Sequence, residues 1–435
     1  MSRLGTRAAL AVLAAAGLVA GGVAAGGVIA SPAYAAPVQA SGFVSYDAFL
    51  GGVAAANYQA SAASGRLGAV ASAQAFNEMR SYVLQMYNGV QVGHSYVADG
   101  NYFDCVDVKT QPSVQALGLK TLATPPATVD GHAVAGGAAA RQGTKGNDAY
   151  GNATSCGAGT IPMQRISLER LTRFATLHDF LAKRPGQAGS GTVAPAANAH
   201  RYAVGYQYAN NHGGNSWLNL WNPSGEFSLS QQWYVGGSGA GTQTVEGGWV
   251  HYPAKFGSQS VLFIFFTPNN YASGCYNLDC TGFVQTSSAF TLGGAWNNYS
   301  TFGGTQWGFS EQWQYFQGNW WLYIQGTAIG YYPGSIYGSG PLSSGSSNLS
   351  EFGGETYTGG TSQPQMGSGM FANAGFGYAA FQNTVFYIST AQGGVWSSLS
   401  QIVTHPNCYT FQYHPSTEGS SWGTYFYYGG PGGNC

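Results

Sequence analysis

Charge is the scarcest property of this sequence: Asp, Glu, Lys and Arg make up 7% of its 435 residues, against about 25% in an ordinary soluble domain. Basic residues are too thin to form a stripe interleaved with stacking aromatics, which argues against nucleic acid as a partner. Zinc chemistry lacks its pattern as well. There is no HExxH, and CYNLDC at 275 to 280 is not followed by a second closely spaced pair. The glycine-rich GGSGAGT has neither the Lys nor the following helix of a phosphate cradle and reads as a turn. No metal or cofactor is therefore expected. Beyond residue 35 no run is apolar enough to cross a bilayer. With acids so few, each needs a reason for its place.

What is present begins with MSRLGTRAALAVLAAAGLVAGGVAAGGVIASPAYA, in which Arg3 and Arg7 precede a small-residue apolar stretch ending in Ala33-Tyr34-Ala35. Residues 1–35 read as a secretory signal peptide whose removal leaves a secreted, extracellular protein off the membrane; an uncleaved anchor is the rival reading. Export offers an oxidising environment to six cysteines, Cys105, Cys156, Cys275, Cys280, Cys408 and Cys435. Six cysteines allow 15 pairings. Locality favours Cys275 with Cys280 and Cys408 with Cys435, leaving Cys105 for Cys156.

The chain divides by texture. Residues 36–66 are rich in Ala and Gly and read as loosely ordered. QAFNEMRSYVLQMY and SLERLTRFATLHDFLAKRPG then carry apolar residues three and four apart, the pattern of two surface helices, the second stopped by Pro185-Gly186. GQAGSGTVAPAANA, 186–199, has neither charge nor periodicity and reads as a linker. From His200 onward short runs such as RYAVGYQY, FSLSQQWYV, VLFIFF, WWLYIQG and YAAFQNTVFYIS alternate with Gly, Asn and Ser, which predicts strands. The expected fold is mainly β: an antiparallel two-sheet β-sandwich at 200–435, preceded by a small α+β domain at 36–185. The halves differ in sign. Residues 36–199 hold nine acids and eleven bases, whereas 200–435 hold seven acids and two bases.

Two motifs compete for chemistry. GSSWG at 419–423 matches the nucleophile elbow, but a strand-like TYFYY follows where that elbow needs a helix, so Ser421 is discounted. Glu246 in VEGGWV and Glu355 in FGGETYTGG sit beside paired glycines with no Lys or Arg within eight positions. A solvated turn explains each one separately. The alternative is that they meet across a cleft and share a proton, so that one activates water while the other protonates a leaving group. Glu351, four residues before Glu355, serves as an inert comparison.

TVEGGWVHYPAKFGS, NNYASGCYNLDCTGFVQTS, NWWLYIQGTAIGYYP, FGGETY, MGSGMF and the tail CY…WGTYFYYGGPGGNC together resemble the neprosin family of glutamic peptidases. DCVDVKTQPSVQ and CGAGTIPMQRISLERL resemble that family's activation peptide. The resemblance runs from about Asn101 to the last residue and is similar in style to bacterial secreted members. It implies a zymogen, with 36–185 as an activation prosegment inhibiting a catalytic β-sandwich at 200–435, and a protein or peptide substrate cut at acid pH, after proline in the family's plant members. Glu246 and Glu355 take the two catalytic places, Glu355 as base and Glu246 as proton donor by analogy with other glutamic peptidases. Trp249, Tyr276 and Gln285 fall in matching motifs as cleft residues. Thr356 stands where the family has valine, and Ser258 where it often has aspartate. The competing class is a carbohydrate-active or lectin-like sandwich, since an aromatic groove with two acids also suits a polysaccharide.

Overall fold

The architecture follows from one long strand. In a computed structural model, which describes residues 42–70, 72–127, 136–143, 146–183, 200–416 and 421–435, Arg201–Asn219 is continuous β structure. Its first half pairs with Ser347–Tyr357 on one side and Ser400–Val403 on the other; its second half pairs with Trp307–Phe316 and Ala380–Ser389. Between the halves the chain passes Gly213 at φ +111°, where an added Cβ would stand 2.1 Å from the Trp313 carbonyl oxygen. Only glycine lets the strand turn there. One sheet of 16 strands is thereby folded over on itself. The expectation of a mainly β, sandwich-like fold is met, with the two layers joined by a shared strand.

The first layer continues from Ser347–Tyr357 through Phe227–Gly236, Gln243–His251 and Val261–Thr267; the second runs from Trp307–Phe316 through Asn319–Ile324 and Thr327–Pro333. Aromatic side chains fill the space between them. Trp249, Trp313, Trp320 and Tyr332 are fully buried, and the Trp313 and Tyr332 rings stack 5.6 Å apart. Such rings bury large areas and fit a pleated face, which is why this half of the sequence is so aromatic.

The N-terminal half is a three-stranded sheet, Val92–Ala98, Asn101–Asp107 and Thr160–Gln164, with short helices. Two expectations change here. Residues 46–63, read as loose, form helices Tyr46–Ala55 and Tyr58–Ala63, because Ser45 and Asn57 accept the first free backbone N–H groups and Phe49 and Val53 are buried. The run from 167 to 183 is not one helix. Ser167 and Thr176 each start a separate short one, Leu168–Leu171 and Leu177–Leu181, and Thr176 also donates to Asp179 at 2.8 Å. The three disulfides are Cys105–Cys156, Cys275–Cys280 and Cys408–Cys435, as locality suggested. The two halves are not separate bodies: Phe43–Cys435 is one compact unit. Residues 1–35, read as a leader, and 186–199, read as a linker, lie outside the described residues. Among the described residues no helix is long and apolar enough to cross a membrane.

Candidate active site

Alternation along a strand puts Glu246 and Gly247 on opposite faces. Glu246 points away from the layered core, on the same face as Thr244 two residues earlier; its cross-strand partner is Trp233. Glu355 lies two strands away in the register Tyr202, Glu355, Leu229. Both glutamates are almost wholly buried. Their carboxylates converge on a single cation, the ammonium of Lys183, which contacts Glu246 Oε2 and stands 3.1 Å from Glu355 Oε2.

Each carboxylate has further partners. Glu246 Oε1 accepts from Thr244 Oγ1 at 2.7 Å and from Tyr271 Oη at 2.9 Å, and its Oε2 accepts from Gln231 Nε2 at 2.9 Å. Gln231 reaches it diagonally across the strand pair. Tyr271 comes from the loop after Val261–Thr267, where its φ of +62° is rare for a bulky residue. Hydrogen bonds hold that geometry: Tyr271 N donates to Thr267 Oγ1 at 2.8 Å and Asn270 N to Thr242 O at 2.7 Å. Burial, and then Glu246, push the Tyr271 phenol well above its ordinary pKa, so it remains a donor. Glu355 Oε1 pairs with His200 Nδ1 and accepts from Tyr202 Oη at 3.3 Å.

Lys183 lies near the end of the N-terminal half, two residues past helix Leu177–Leu181. Tyr276 Oη donates to its carbonyl at 2.8 Å, and the ammonium lies 5.1 Å from the Trp233 ring centre and 5.7 Å from that of Tyr271. A second cluster fixes the same segment. Asp279 accepts from Arg170 at 3.3 Å and from Lys255 at 2.9 Å, while Lys255 Nζ also donates to the Phe180 carbonyl at 2.6 Å. Desolvation lowers the Lys255 pKa to about 8 against the opposing pull of Asp279. The opposite signs of the halves thus act at two buried points. Two open cavities, about 850 and 730 Å³, touch neither Glu246 nor Glu355; the face that carries the pair is covered by Lys183.

The other predicted cleft residues separate. Tyr276 belongs to the covered face through its bond to Lys183. Trp249 does not line the cleft: three positions from Glu246, it points to the opposite face and donates from Nε1 to Asn219 O at 3.0 Å. Gln285 is buried at the border with the N-terminal half. Gln111 exchanges hydrogen bonds of 2.8 and 3.0 Å with its backbone, and its side chain donates to Ser287 and Phe290 carbonyls. Sequence reading missed Lys183, His200, Tyr202, Gln231, Thr244 and Tyr271. None carries a local signal: Lys183 stands beside Arg184 at the end of a helical run, and Tyr271 in an Asn-rich turn. Among the described residues no group of three or more His, Cys, Asp or Glu is disposed to hold a metal ion.

Residues 224–431 match the Neprosin family model, a span that begins after the covering segment and contains both glutamates. Among solved structures, the crystal structure of scytalido-glutamic peptidase with a transition state analog inhibitor aligns at 10% identity and a TM-score of 0.29, over 53% of this chain and 98% of that chain.

Proposed function

We propose that the protein is a secreted peptidase made as a zymogen, with Glu246 and Glu355 as a catalytic pair and residues 36–185 as the prosegment that keeps them idle. One observation carries this reading: the two glutamates singled out in the sequence meet at one cation, and that cation comes from the other half of the chain. The family match over 224–431 supports the peptidase class. Three disulfides are compatible with an oxidising, extracellular setting. No observation favours the carbohydrate reading; Lys183 contacts both carboxylates, so their spacing here is that of an occupied pair.

With Lys183 withdrawn, one carboxylate takes a proton from water as the oxygen attacks the peptide carbonyl carbon, and the other gives its proton to the carbonyl oxygen. The tetrahedral intermediate then breaks its C–N bond, the amine leaving with the proton first taken from water while one hydroxyl of the intermediate returns its proton to the second carboxylate as the C=O bond re-forms. This cycle needs one proton on the pair, whereas an ammonium between the carboxylates favours none. Acid therefore promotes both steps: it protonates the pair and weakens its hold on Lys183.

The test is to incubate the purified full chain at about pH 3, near the reference range of carboxylic acids, with a proline-containing protein, and to map every cut. Wild type should convert itself within the linker, after Pro195 to leave Ala196 first, or otherwise after Pro185. It should then cut the substrate, after proline if the resemblance extends to specificity. Glu246→Gln in parallel separates self-cleavage from a contaminant. A wild type that stays full length while fully active would remove the zymogen part, and one that never cuts protein would remove the peptidase.

A further inference from the structure

The contacts that hold Lys183 divide by origin. Among the described residues, the groups that grip its ammonium all belong to the chain from His200 onward: Glu246, Glu355 and the rings of Trp233 and Tyr271. Thr244, Gln231 and the Tyr271 hydroxyl, which orient Glu246, belong there too. The backbone contact from Tyr276 uses only a carbonyl, which any peptide offers. The pocket therefore does not depend on Lys183 for its construction.

We propose that the space between Glu246 and Glu355 is a receptor for primary alkylammonium groups, and that the ligand class it takes from solution is the lysine side chain of a peptide. Its selectivity follows from shape and charge. One nitrogen satisfies both carboxylates, a geometry for a compact point charge rather than a planar guanidinium. Aromatic faces at 5.1 and 5.7 Å add attraction for a cation and none for an alcohol. The pair is faced by Glu351, four residues before Glu355 on the same strand, by His200 and by the phenols of Tyr202 and Tyr271. Ammonium binding competes with protons for the carboxylates, so acid weakens it. On the peptidase reading, on which this consequence rests, a bound lysine keeps water off the pair, and lysine-bearing peptides inhibit in competition with substrate.

Truncating Lys183 to alanine in the full chain removes the atoms of n-propylamine. Thermal unfolding of Lys183→Ala at neutral pH should shift upward by several degrees, saturably, with n-propylamine and not with n-propanol, while wild type, its site filled, responds to neither. An equal response to amine and alcohol, or an equal response of wild type, overturns the proposal. Should the variant not fold, acid-converted wild type decides, assayed with a peptide spanning Thr176–Lys183 and with its copy carrying norleucine for the lysine. The lysine peptide should inhibit at least about tenfold more strongly, the effect of 1.4 kcal/mol; equal potency overturns the proposal. Acid-treated protein without peptidase activity would sink the peptidase reading instead, and the amine titration would still judge the site.

Discussion

Two buried carboxyl groups lie on either side of one strand. Glu246 faces the covered surface, with three neutral donors and an ammonium around it. Glu311 faces the core between the layers, so close behind Gly247 that an added Cβ there would come within 2.4 Å of its Oε1. Its only side-chain partner is Trp313 Nε1 at 2.8 Å, and its Oε2 has no hydrogen-bond partner among the described residues. Burial raises the Glu311 pKa to about 8, only partly opposed by that indole N–H. Burial is thus common to both acids and distinguishes neither. What differs is the supply of donors and the face: one acid is equipped to carry charge, and the other is a neutral acid whose carboxyl has a single side-chain hydrogen bond.

The largest expected effect tests that contrast directly. Glu246→Gln and Glu355→Gln should each lower peptide hydrolysis at acid pH by about 100-fold or more, the scale of losing a general acid or base. Glu311→Gln should stay near wild type, because at that pH it replaces one neutral side chain with another. Steady-state rates on variants shown to be folded by circular dichroism decide. A Glu311 variant as inactive as the other two would erase the distinction between the faces.

Stability gives the next effect. A carboxyl group whose folded pKa is about 8, against 4.5 in the unfolded chain, binds its proton more tightly when folded. Its contribution is fully present below about pH 4.5 and is lost as pH rises toward 8, by about 1.4 kcal/mol per unit. Glu311→Gln removes that slope. Near pH 5 the variant should be the less stable by roughly 1–3 kcal/mol, since its amide N–H groups meet no acceptor, and near pH 8 it should be the more stable. Urea melts across that range should therefore cross; parallel curves would mean that Glu311 ionises without penalty.

The same acids show what was legible in the sequence. Glycine pairs and family-like motifs around Glu246 and Glu355 pointed to them, but the physical criterion used, an acid with no base nearby in sequence, admits Glu311 equally. Only the fold says which face each occupies. Strand texture, the helical run of Ala73–Met86 and the disulfide pairing were readable because each rests on local pattern. The shared strand was half read: RYAVGYQY alternates, whereas ANNHGGNSWLN looks like a loop until both halves find partners in different layers. Lys183 and Tyr271 were invisible for another reason. A lysine two residues past a short helix and a tyrosine in an Asn-rich turn have ordinary local settings, and their roles come from contacts 63 and 25 residues away in sequence.

The smallest effect concerns Glu351, the inert comparison chosen from sequence. It sits across Trp233 from Glu246, in register, and is not remote from the pair. Burial, then Glu246 and Glu355, raise its pKa to about 7, against the lowering influence of Lys183. Withdrawal of Lys183 removes the one cation that lowers it, so at acid pH Glu351 keeps its proton. Glu351→Gln should accordingly leave hydrolysis at about pH 4 within roughly twofold of wild type, since neither side chain is charged there. Above about pH 7 the wild-type group is an anion that helps retain Lys183, and only there should the variant's prosegment be held more weakly. Profiles of rate and of prosegment release against pH separate the two regimes. A tenfold loss at pH 4 would instead make Glu351 a third working acid and extend the equipped face by one residue.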